Sequence, residues 1–346
     1  MTRTRGSFRL AWRGVLGLAA AAILAVGAPV TVRAETSTVR LAEQPGLGYL
    51  PMMVMREFEL IEKHVEKAGL PRPKVEWLLF SGGAAMNEAL LSRNLDIASG
   101  GVGPLVTIWD RTKNTSDPVK GVAAINSMPL FLTTNNPNVK TIRDFTERDR
   151  IALPAVRVSI QAVTLQIAAE KEFGEGNHTR LDNLTVSMPH PDGTAALLSK
   201  QTEITAHLSS PPFQYQQLQN EGIKLVLSSY DVLGGKTTFN SLWTRSSFRE
   251  ENPKTYKALV DALNEAMEWI NANKEEAADV FIKHGKSKLD RDFILSMIND
   301  PDIEFTTVPR NTMGYASFMA RIGSIKNKPE SWKDYYFEEI HGTEGS

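Results

Sequence analysis

The sequence predicts an α/β fold with mainly parallel strands, arranged as two lobes joined by a hinge. Short apolar runs of strand length alternate with stretches of helical periodicity along most of the chain, a pattern typical of layered α/β domains. Two groups of turn residues, Asn135 to Asn138 and Gly234-Gly235, set a central block apart. Two such breaks fit a chain that leaves one lobe, builds a second and then returns.

These breaks define the predicted domain boundaries. We expect one discontinuous lobe and one continuous lobe, with two inter-lobe crossings between them. The first lobe is predicted from residues 35–135 and 236–346, the second from 145–230, and the crossings near 136–144 and 231–235.

The individual elements follow from local patterns. Asn252 and Pro253 fit the N-cap and first residue of a long helix, and a second helix from about Lys274 is predicted to end with Gly285 as a left-handed cap. The predicted strands are Val39–Ala42, Val75–Phe80, Leu95–Ala98, Val119–Ile125, Ile151–Leu153, Leu184–Met188, Ile204–His207, Ile223–Leu227 and Phe239–Thr244.

Residues 1–34 have the character of a secretory signal peptide. Four arginines in the first 13 residues precede an apolar run from Val15 to Ala28, and small side chains lead up to Ala34. The apolar run has 14 residues, whereas a membrane-spanning helix needs about 20, so a membrane anchor is the weaker alternative. We expect cleavage after Ala34 and export to the periplasm by the general secretion route.

Composition excludes several classes of protein. Removing residues 1–34 takes away five arginines and no acid, so the formal net charge falls from -1 to -6, which argues against a nucleic-acid partner. The chain has no cysteine, which excludes disulfides, a lipid anchor on an N-terminal cysteine, thiol catalysis and thiolate metal sites.

Motifs of known catalytic and cofactor sites are missing. The sequence has no G-x-S-x-G elbow and no H-E-x-x-H pair. Gly46-Leu47-Gly48 continues to Pro51, where a dinucleotide loop needs glycine, and the phosphate-loop ending Gly235-Lys236-Thr237 has Tyr230 in place of the required glycine. We therefore predict no enzyme, no catalytic residue, no metal site and no cofactor.

Five loops rich in glycine and serine follow predicted strands. Open α/β sheets bind ligands at the carboxyl ends of their strands, where small residues let a ligand approach the backbone and helix N-termini attract anions. The loops are Gln44–Tyr49, Ser81–Gly83, Gly100–Gly103, Val158–Gln161 and His207–Pro212. We predict that all five face one cleft between the lobes.

The predicted site combines an apolar wall from Tyr49 with hydrogen bonds from Ser81, Ser159 and Gln161. In the alternative interpretation the two serines act only as helix caps. The predicted ligand-binding residues are Gln44, Gly48, Tyr49, Ser81, Gly82, Gly83, Gly100, Gly101, Val102, Val158, Ser159, Gln161, His207, Ser209 and Pro211.

Two residues near the predicted cleft have two interpretations each. His207 either faces the ligand or supports its strand from behind. Arg157 either clamps an anion with its guanidinium or lies on the solvent side of a helix start.

Five short motifs follow one another in a fixed order along the chain. They are Val39–Ala42 with Gly48–Pro51, Ser81–Gly83, Ala89–Ala98, Ile151–Pro154 and Glu251–Pro253. In these motifs and their order the chain resembles the periplasmic solute-binding proteins of the nitrate/sulfonate/taurine class of ABC importers, which are related to the NMT1/THI5-like fold. The resemblance covers nearly the whole mature chain. The sequence departs from common members at Glu203–His207, where many have Asp-Ala before an apolar strand.

The resemblance implies a type II-like periplasmic-binding-protein fold whose lobes close on a small molecule by hinge motion. It also implies a monomer that delivers a small organic anion, sulfonate-like or related, to a transmembrane permease and its ATPase. Two alternatives carry different functions: a THI5-like enzyme that makes a pyrimidine precursor, and a sensor subunit that reports the ligand to a membrane receptor. Sulfonates, nitrate, bicarbonate, pyrimidines and aromatic acids all occur as ligands in such families. Which of them binds depends on the direction in which the side chains of a few pocket residues point.

Overall fold

Two five-stranded sheets form the framework of the chain. The structure is a computed structural model that describes residues 34–346, so the predicted signal peptide lies outside the described residues except for Ala34. The strands are β1 (Thr38–Glu43), β2 (Lys74–Leu79), β3 (Ile97–Gly101), β4 (Val119–Ala124), β5 (Phe131–Thr134), β6 (Ile151–Leu153), β7 (Thr185–Ser187), β8 (Ala206–Ser209), β9 (Lys224–Ser228) and β10 (Asn240–Arg245).

Helices cover the sheets and fill the connections between strands. They are α1 (Leu50–Glu57), α2 (Leu60–Lys67), α3 (Gly83–Leu91), α4 (Val102–Thr112), α5 (Ile160–Phe173), α6 (His190–Ser199), α7 (Phe213–Leu218), α8 (Ser229–Leu233), α9 (Ser246–Glu251), α10 (Pro253–Ala272), α11 (Lys274–Gly285), α12 (Arg291–Ile298) and α13 (Thr312–Arg321). None of the helices within residues 34–346 combines the length and apolar character that a bilayer-spanning helix requires.

The two sheets repeat one topology. The first has the order β2-β1-β3-β10-β4 and the second the order β7-β6-β8-β5-β9. In the first sheet β1 runs parallel to β2 and β3, whereas β10 runs antiparallel to β3 and β4. In the second, β6 runs parallel to β7 and β8, and β5 runs antiparallel to β8 and β9. Each sheet therefore receives one antiparallel strand at the point where the chain arrives from the other sheet.

Strand β5 corrects one predicted boundary. Residues 35–135 were assigned to the first lobe, but Phe131–Thr134 hydrogen-bonds to β8 and β9 in the second sheet. The first crossing therefore lies between Ala124 and Phe131 and not near 136–144. The chain returns to the first sheet between Ser228 and Asn240, an interval that contains the predicted crossing at 231–235. The assignment of whole segments to lobes otherwise stays a prediction.

The two crossing segments are hydrogen-bonded to each other. Ser127 forms antiparallel bridges with both Thr238 and Glu304, and Phe239 N donates to Asn126 O at 3.2 Å. Three extended segments thus run side by side between the sheets. A narrow ribbon of this kind is the part of the chain on which a hinge motion would concentrate.

Long helices after β10 return to the first sheet. Helix α10 packs on α1 and α2, and α11 packs on α1 and α12. Pro253 is the first residue of α10 as predicted, whereas the predicted left-handed cap at Gly285 is wrong. The helix includes Gly285, and Lys286 takes the left-handed conformation with φ 49°.

A buried tryptophan holds the helix starts that approach the second sheet. Trp243 on β10 is fully buried, and its Nε1 donates to Asn87 Oδ1 at 2.9 Å. The Nδ2 of Asn87 in turn donates to Pro104 O at 2.9 Å. Because Asn87 lies on α3 and Pro104 on α4, these hydrogen bonds tie the N-terminal halves of both helices to the sheet.

Candidate functional site

A small cavity lies between the two sheets, at the carboxyl ends of their parallel strands. Its volume is about 20 Å³, which holds roughly one water molecule. Each of the five predicted loops contributes at least one residue to its wall. Across the cleft, Leu47 N donates to Pro211 O at 2.9 Å, so the two sides are in direct contact.

Seven of the fifteen predicted ligand-binding residues line this cavity. They come from four of the five loops and from both sides of the cleft. They are Gln44, Tyr49, Gly82, Gly83, Gly101, Ser159 and Gln161.

The other eight predicted residues do not line the cavity. Their placement follows from strand register and helix starts, which turn some side chains to the surface and others behind the wall. Ser81 is exposed because α3 begins at Gly83 with Gly82 as its N-cap residue. The remaining seven are Gly48, Gly100, Val102, Val158, His207, Ser209 and Pro211.

The structure shows where the side chains of His207 and Arg157 lie. His207 is completely buried and lies behind the cavity wall, where its ring contacts His190 and Gln217. The Arg157 side chain is 71% exposed, and its Nε lies 3.7 Å from Asp182 Oδ2. His207 therefore matches the interpretation that it supports its strand from behind, and Arg157 matches the interpretation that it lies on the solvent side of a helix start.

Several cavity residues were missed by the sequence analysis. Asn240 and Phe239 come from the start of β10, His190 opens α6, and Ser210 follows β8. His190 follows Met188-Pro189 directly after β7, so the rule that selected the other strand ends would have found it. The Asn240 side chain points to the cavity because Asn240 pairs with Gly101 on β3, and the sequence does not reveal this pairing.

Three helices begin at the cavity. Gly83 opens α3, Gly101 is the N-cap residue of α4, and Ser159 is the N-cap residue of α5; all three residues line the wall. The helices have 9, 11 and 14 residues. The positive ends of three helix dipoles thus converge on one small volume, which favours negative charge.

Asn240 supplies the clearest polar feature of the wall. Its side chain is completely buried, yet neither Nδ2 nor Oδ1 has a hydrogen-bond partner among residues 34–346. Buried amides without partners are rare because each lost hydrogen bond is costly. Gly48 makes room for this amide, since a Cβ there would lie 2.7 Å from Asn240 Nδ2.

The opposite side of the wall offers further neutral polar groups. The side-chain amide of Gln44 is hydrogen-bonded to Tyr49 Oη at 2.6 Å. Burial raises the pKa of Tyr49, so this group stays protonated. Ser159 Oγ already accepts from Ala162 N and donates to Ala155 O. Its hydroxyl therefore acts as a helix cap.

A buried chain of hydrogen-bonding side chains runs from the cavity into the second sheet. Gln161 Nε2 lies 3.2 Å from His190 Nε2, and His190 Nδ1 lies 3.0 Å from His207 Nε2. His207 Nδ1 lies 2.8 Å from Gln217 Nε2. Burial lowers the pKa of His190 to about 3, and burial followed by the charge of His190 lowers that of His207. Both imidazoles are therefore neutral at physiological pH.

The cavity wall contains no aspartate, glutamate, lysine or arginine among the described residues. A group of three His, Asp or Glu side chains able to hold a metal ion is also absent from residues 34–346. The site therefore relies on neutral donors and helix dipoles.

A wider groove of about 610 Å³ adjoins the cavity and shares Gln44 and Pro45 with it. Aromatic side chains, including Trp77 and Phe213, line this groove, and Leu79 on β2 is 69% exposed at its edge. The groove thus combines apolar and aromatic side chains with the charged groups of Glu43, Arg56, Lys286 and Lys288.

The chain has two β-sheets covered by helices and joined by a short ribbon, with a small cavity between them. This arrangement defines a two-lobed binding-protein fold. Solved structures share this fold. The chain is similar to the alkanesulfonate-binding protein SsuA from Xanthomonas axonopodis pv. citri bound to MOPS, with a TM-score of 0.67 and 14% identity over 85% of this chain and 96% of that one. It is also similar to the periplasmic aliphatic sulphonate binding protein SsuA from Escherichia coli, with a TM-score of 0.64 and 16% identity over 88% and 93% of the two chains.

A third similar structure is the periplasmic nitrate-binding protein NrtA from Synechocystis PCC 6803, with a TM-score of 0.66 and 17% identity over 87% of this chain and 84% of that one. No curated protein matches the sequence. The model of the NMT1-like family matches residues 33–283, and the chain therefore belongs to this family. The predicted family and the two-lobed α/β periplasmic-binding-protein fold are confirmed.

Proposed function

We propose that this protein is the periplasmic substrate-binding component of an ABC importer and that it captures a small organic anion between its lobes. The observation that carries this proposal is the cavity, where three helix N-termini and the unpartnered amide of Asn240 meet without a charged side chain. Convergent N–H donors favour an oxyanion such as a sulfonate or carboxylate. The family and the similar structures support the role of binding protein.

The cavity as it stands holds about one water molecule, so a larger ligand enters only when the lobes separate. The oxyanion would then lie at the helix starts, and the organic part would extend past Gln44 and Pro45 into the adjoining groove, against its aromatic side chains. Lobe closure around the bound anion would create the surface that the permease and its ATPase recognise.

We further propose that the chain is exported and that its mature form is a monomer beginning at Glu35. The Arg-rich, apolar start of the sequence supports this. Mass spectrometry of periplasmic material should find Glu35 as the first residue. Recovery of an intact chain from Met1 in the membrane fraction would contradict the proposal.

Catalysis is not part of this proposal. The chain lacks cysteine, and its cavity wall lacks acidic residues. Nothing in the cavity favours the sensor role over the importer role.

A thermal-shift and calorimetry panel tests the ligand class. The mature protein is titrated with ethanesulfonate, propanoate and nitrate, and with uracil as an uncharged compound. A ligand at about 100 times its dissociation constant should stabilise the protein by about 2.7 kcal/mol. Stabilisation by uracil alone, with no response to any anion, would refute the proposed ligand class.

A further inference from the structure

The hydrogen-bonded chain behind the cavity contains four buried residues and no charge. Gln161, His190, His207 and Gln217 are between 0% and 8% exposed. Only Gln161 and His190 reach the cavity wall, while His207 on β8 and Gln217 on α7 lie deeper. Any effect of His207 and Gln217 on a bound ligand must therefore act through Gln161 and His190.

Because both imidazoles are neutral, the hydrogen bonds that link the four residues must all run in one direction. Each ring carries one N–H donor and one acceptor nitrogen, so the protons either all point towards the cavity or all point away from it. The amide at the deep end selects between these arrangements, because an amide presents an oxygen on one side and an NH₂ group on the other.

The environment of Gln217 selects the arrangement. The distance from Thr133 Oγ1 to Gln217 Oε1 is 2.6 Å, which suits an O–H···O bond and is short for an N–H···O bond. Gln217 therefore turns its oxygen to Thr133 and its Nε2 to His207 Nδ1 and Thr194 Oγ1, both at 2.8 Å. His207 Nδ1 accepts this bond, so the His207 proton sits on Nε2.

The direction then propagates to the cavity. His207 Nε2 donates to His190 Nδ1 at 3.0 Å, which leaves the proton of His190 on Nε2. That N–H points at the Gln161 amide, 3.2 Å away. If the NH₂ group of Gln161 faced His190 Nε2–H, two donors would point at each other. Rotating the Gln161 amide by 180° keeps its shape and places its oxygen opposite His190 Nε2–H, where it accepts the bond. The NH₂ group of Gln161 then faces away from His190.

We propose that this relay fixes Gln161 as a hydrogen-bond donor to the cavity, so that the ligand group lying at the start of α5 is an acceptor oxygen and not a donor. This inference rests on the proposed function and narrows it, because a carboxylate or sulfonate oxygen satisfies the relay whereas an ammonium or N–H group opposes it. Gln161 is the contact residue, and His207 and Gln217 are positioning residues. The lowered pKa of both histidines, caused first by burial, agrees with neutral rings.

Nuclear magnetic resonance of the imidazole nitrogens tests the relay without any ligand. In the ¹⁵N-labelled mature protein at neutral pH, His190 and His207 should both show the tautomer protonated at Nε2. Protonation at Nδ1 in either ring, or a doubly protonated ring, would overturn the proposal. This result does not depend on whether an anion binds, so it stays separate from the outcome of the ligand panel.

A pair of variants on α7 links the relay to binding. Gln217→Met removes the donor to His207 and should let both tautomers appear, with affinity for ethanesulfonate or propanoate weaker by about tenfold. Gln214→Met is the matched control, because Gln214 is equally buried but bonds only the backbone of Pro129 and Phe131. It should leave the tautomers and the affinity unchanged. Equal losses of affinity in the two variants, with unchanged tautomers, would show a merely structural role.

Discussion

Gly101 is the position at which lobe closure can be tested by a single methyl group. It is the N-cap residue of α4 on the first sheet, and it faces Ile160, the first residue of α5 on the second. A Cβ at this position would lie 2.5 Å from Ile160 Cγ2 and 2.6 Å from Ile160 Cβ. Its φ of -65° suits any residue, so Gly101→Ala adds crowding without backbone strain.

The expected size of the effect follows from this geometry. Carbon atoms in contact are normally about 3.5–4.0 Å apart, so the two segments must separate by about 1 Å. Overpacking of this kind costs about 1–3 kcal/mol. Because the contact joins the two sides of the cleft, that cost falls on the closed form, and ligand affinity should weaken by about 5- to 150-fold.

Isothermal titration calorimetry with an anion from the panel measures the affinity, and thermal unfolding without ligand measures stability. Gly342→Ala is the control, since a Cβ at Gly342 meets nothing within 4 Å. Gly101→Ala should weaken binding while the control does not. If Gly101→Ala binds as tightly as the parent protein, the contact is not part of the ligand-bound form and the closure argument is wrong.

Two further substitutions and one change of pH distinguish effects on ligand affinity from effects on the free energy of unfolding. Asn240→Leu replaces an unpartnered buried amide by an apolar group of similar size, so calorimetry should show at least tenfold weaker anion binding while the melting temperature stays the same or rises. Ser159→Ala removes a helix cap and should cost about 1 kcal/mol in urea unfolding with little change in affinity. His190 has a folded pKa of about 3 against about 6.5 when unfolded, so protons bind the unfolded chain first and His190 alone should lower stability by about 2 kcal/mol between pH 7.5 and pH 5, while the lowered pKa of His207 acts in the same direction. A His190→Gln variant should lose less stability over the same pH range, and an equal loss would contradict the assignment.

Most of the framework could be predicted from the sequence because strand and helix periods are local signals. Strand β5 was missed because its four residues lie between Pro129 and the turn residues at Asn135, and its partners are more than 70 residues away along the chain. A short strand of this kind is specified by its partners and not by its own pattern.

The site was predictable at the level of loops but not of side chains. The rule that ligands bind at strand ends located all five loops, since it depends on topology alone. Whether a side chain faces the cavity depends on register between distant strands. Thus Asn240 was missed because its facing follows from pairing with Gly101, and His207 was included although its strand turns it inward.

The absence of charged side chains from the cavity wall leads to a prediction about salt. Residues 35–346 carry a formal net charge of -6, so the long-range field of the protein repels an anion, whereas helix dipoles and neutral donors hold it once it is enclosed. Salt screens charges in solvent over about 8 Å at physiological strength but screens an enclosed site much less. Raising ionic strength from about 0.01 M to about 0.15 M should therefore leave anion affinity unchanged or slightly increase it. A site built on arginine or lysine would behave in the opposite way, so a marked loss of affinity with an inert salt would show that a cationic side chain, such as Lys286 or Lys288 of the adjoining groove, binds the anion instead.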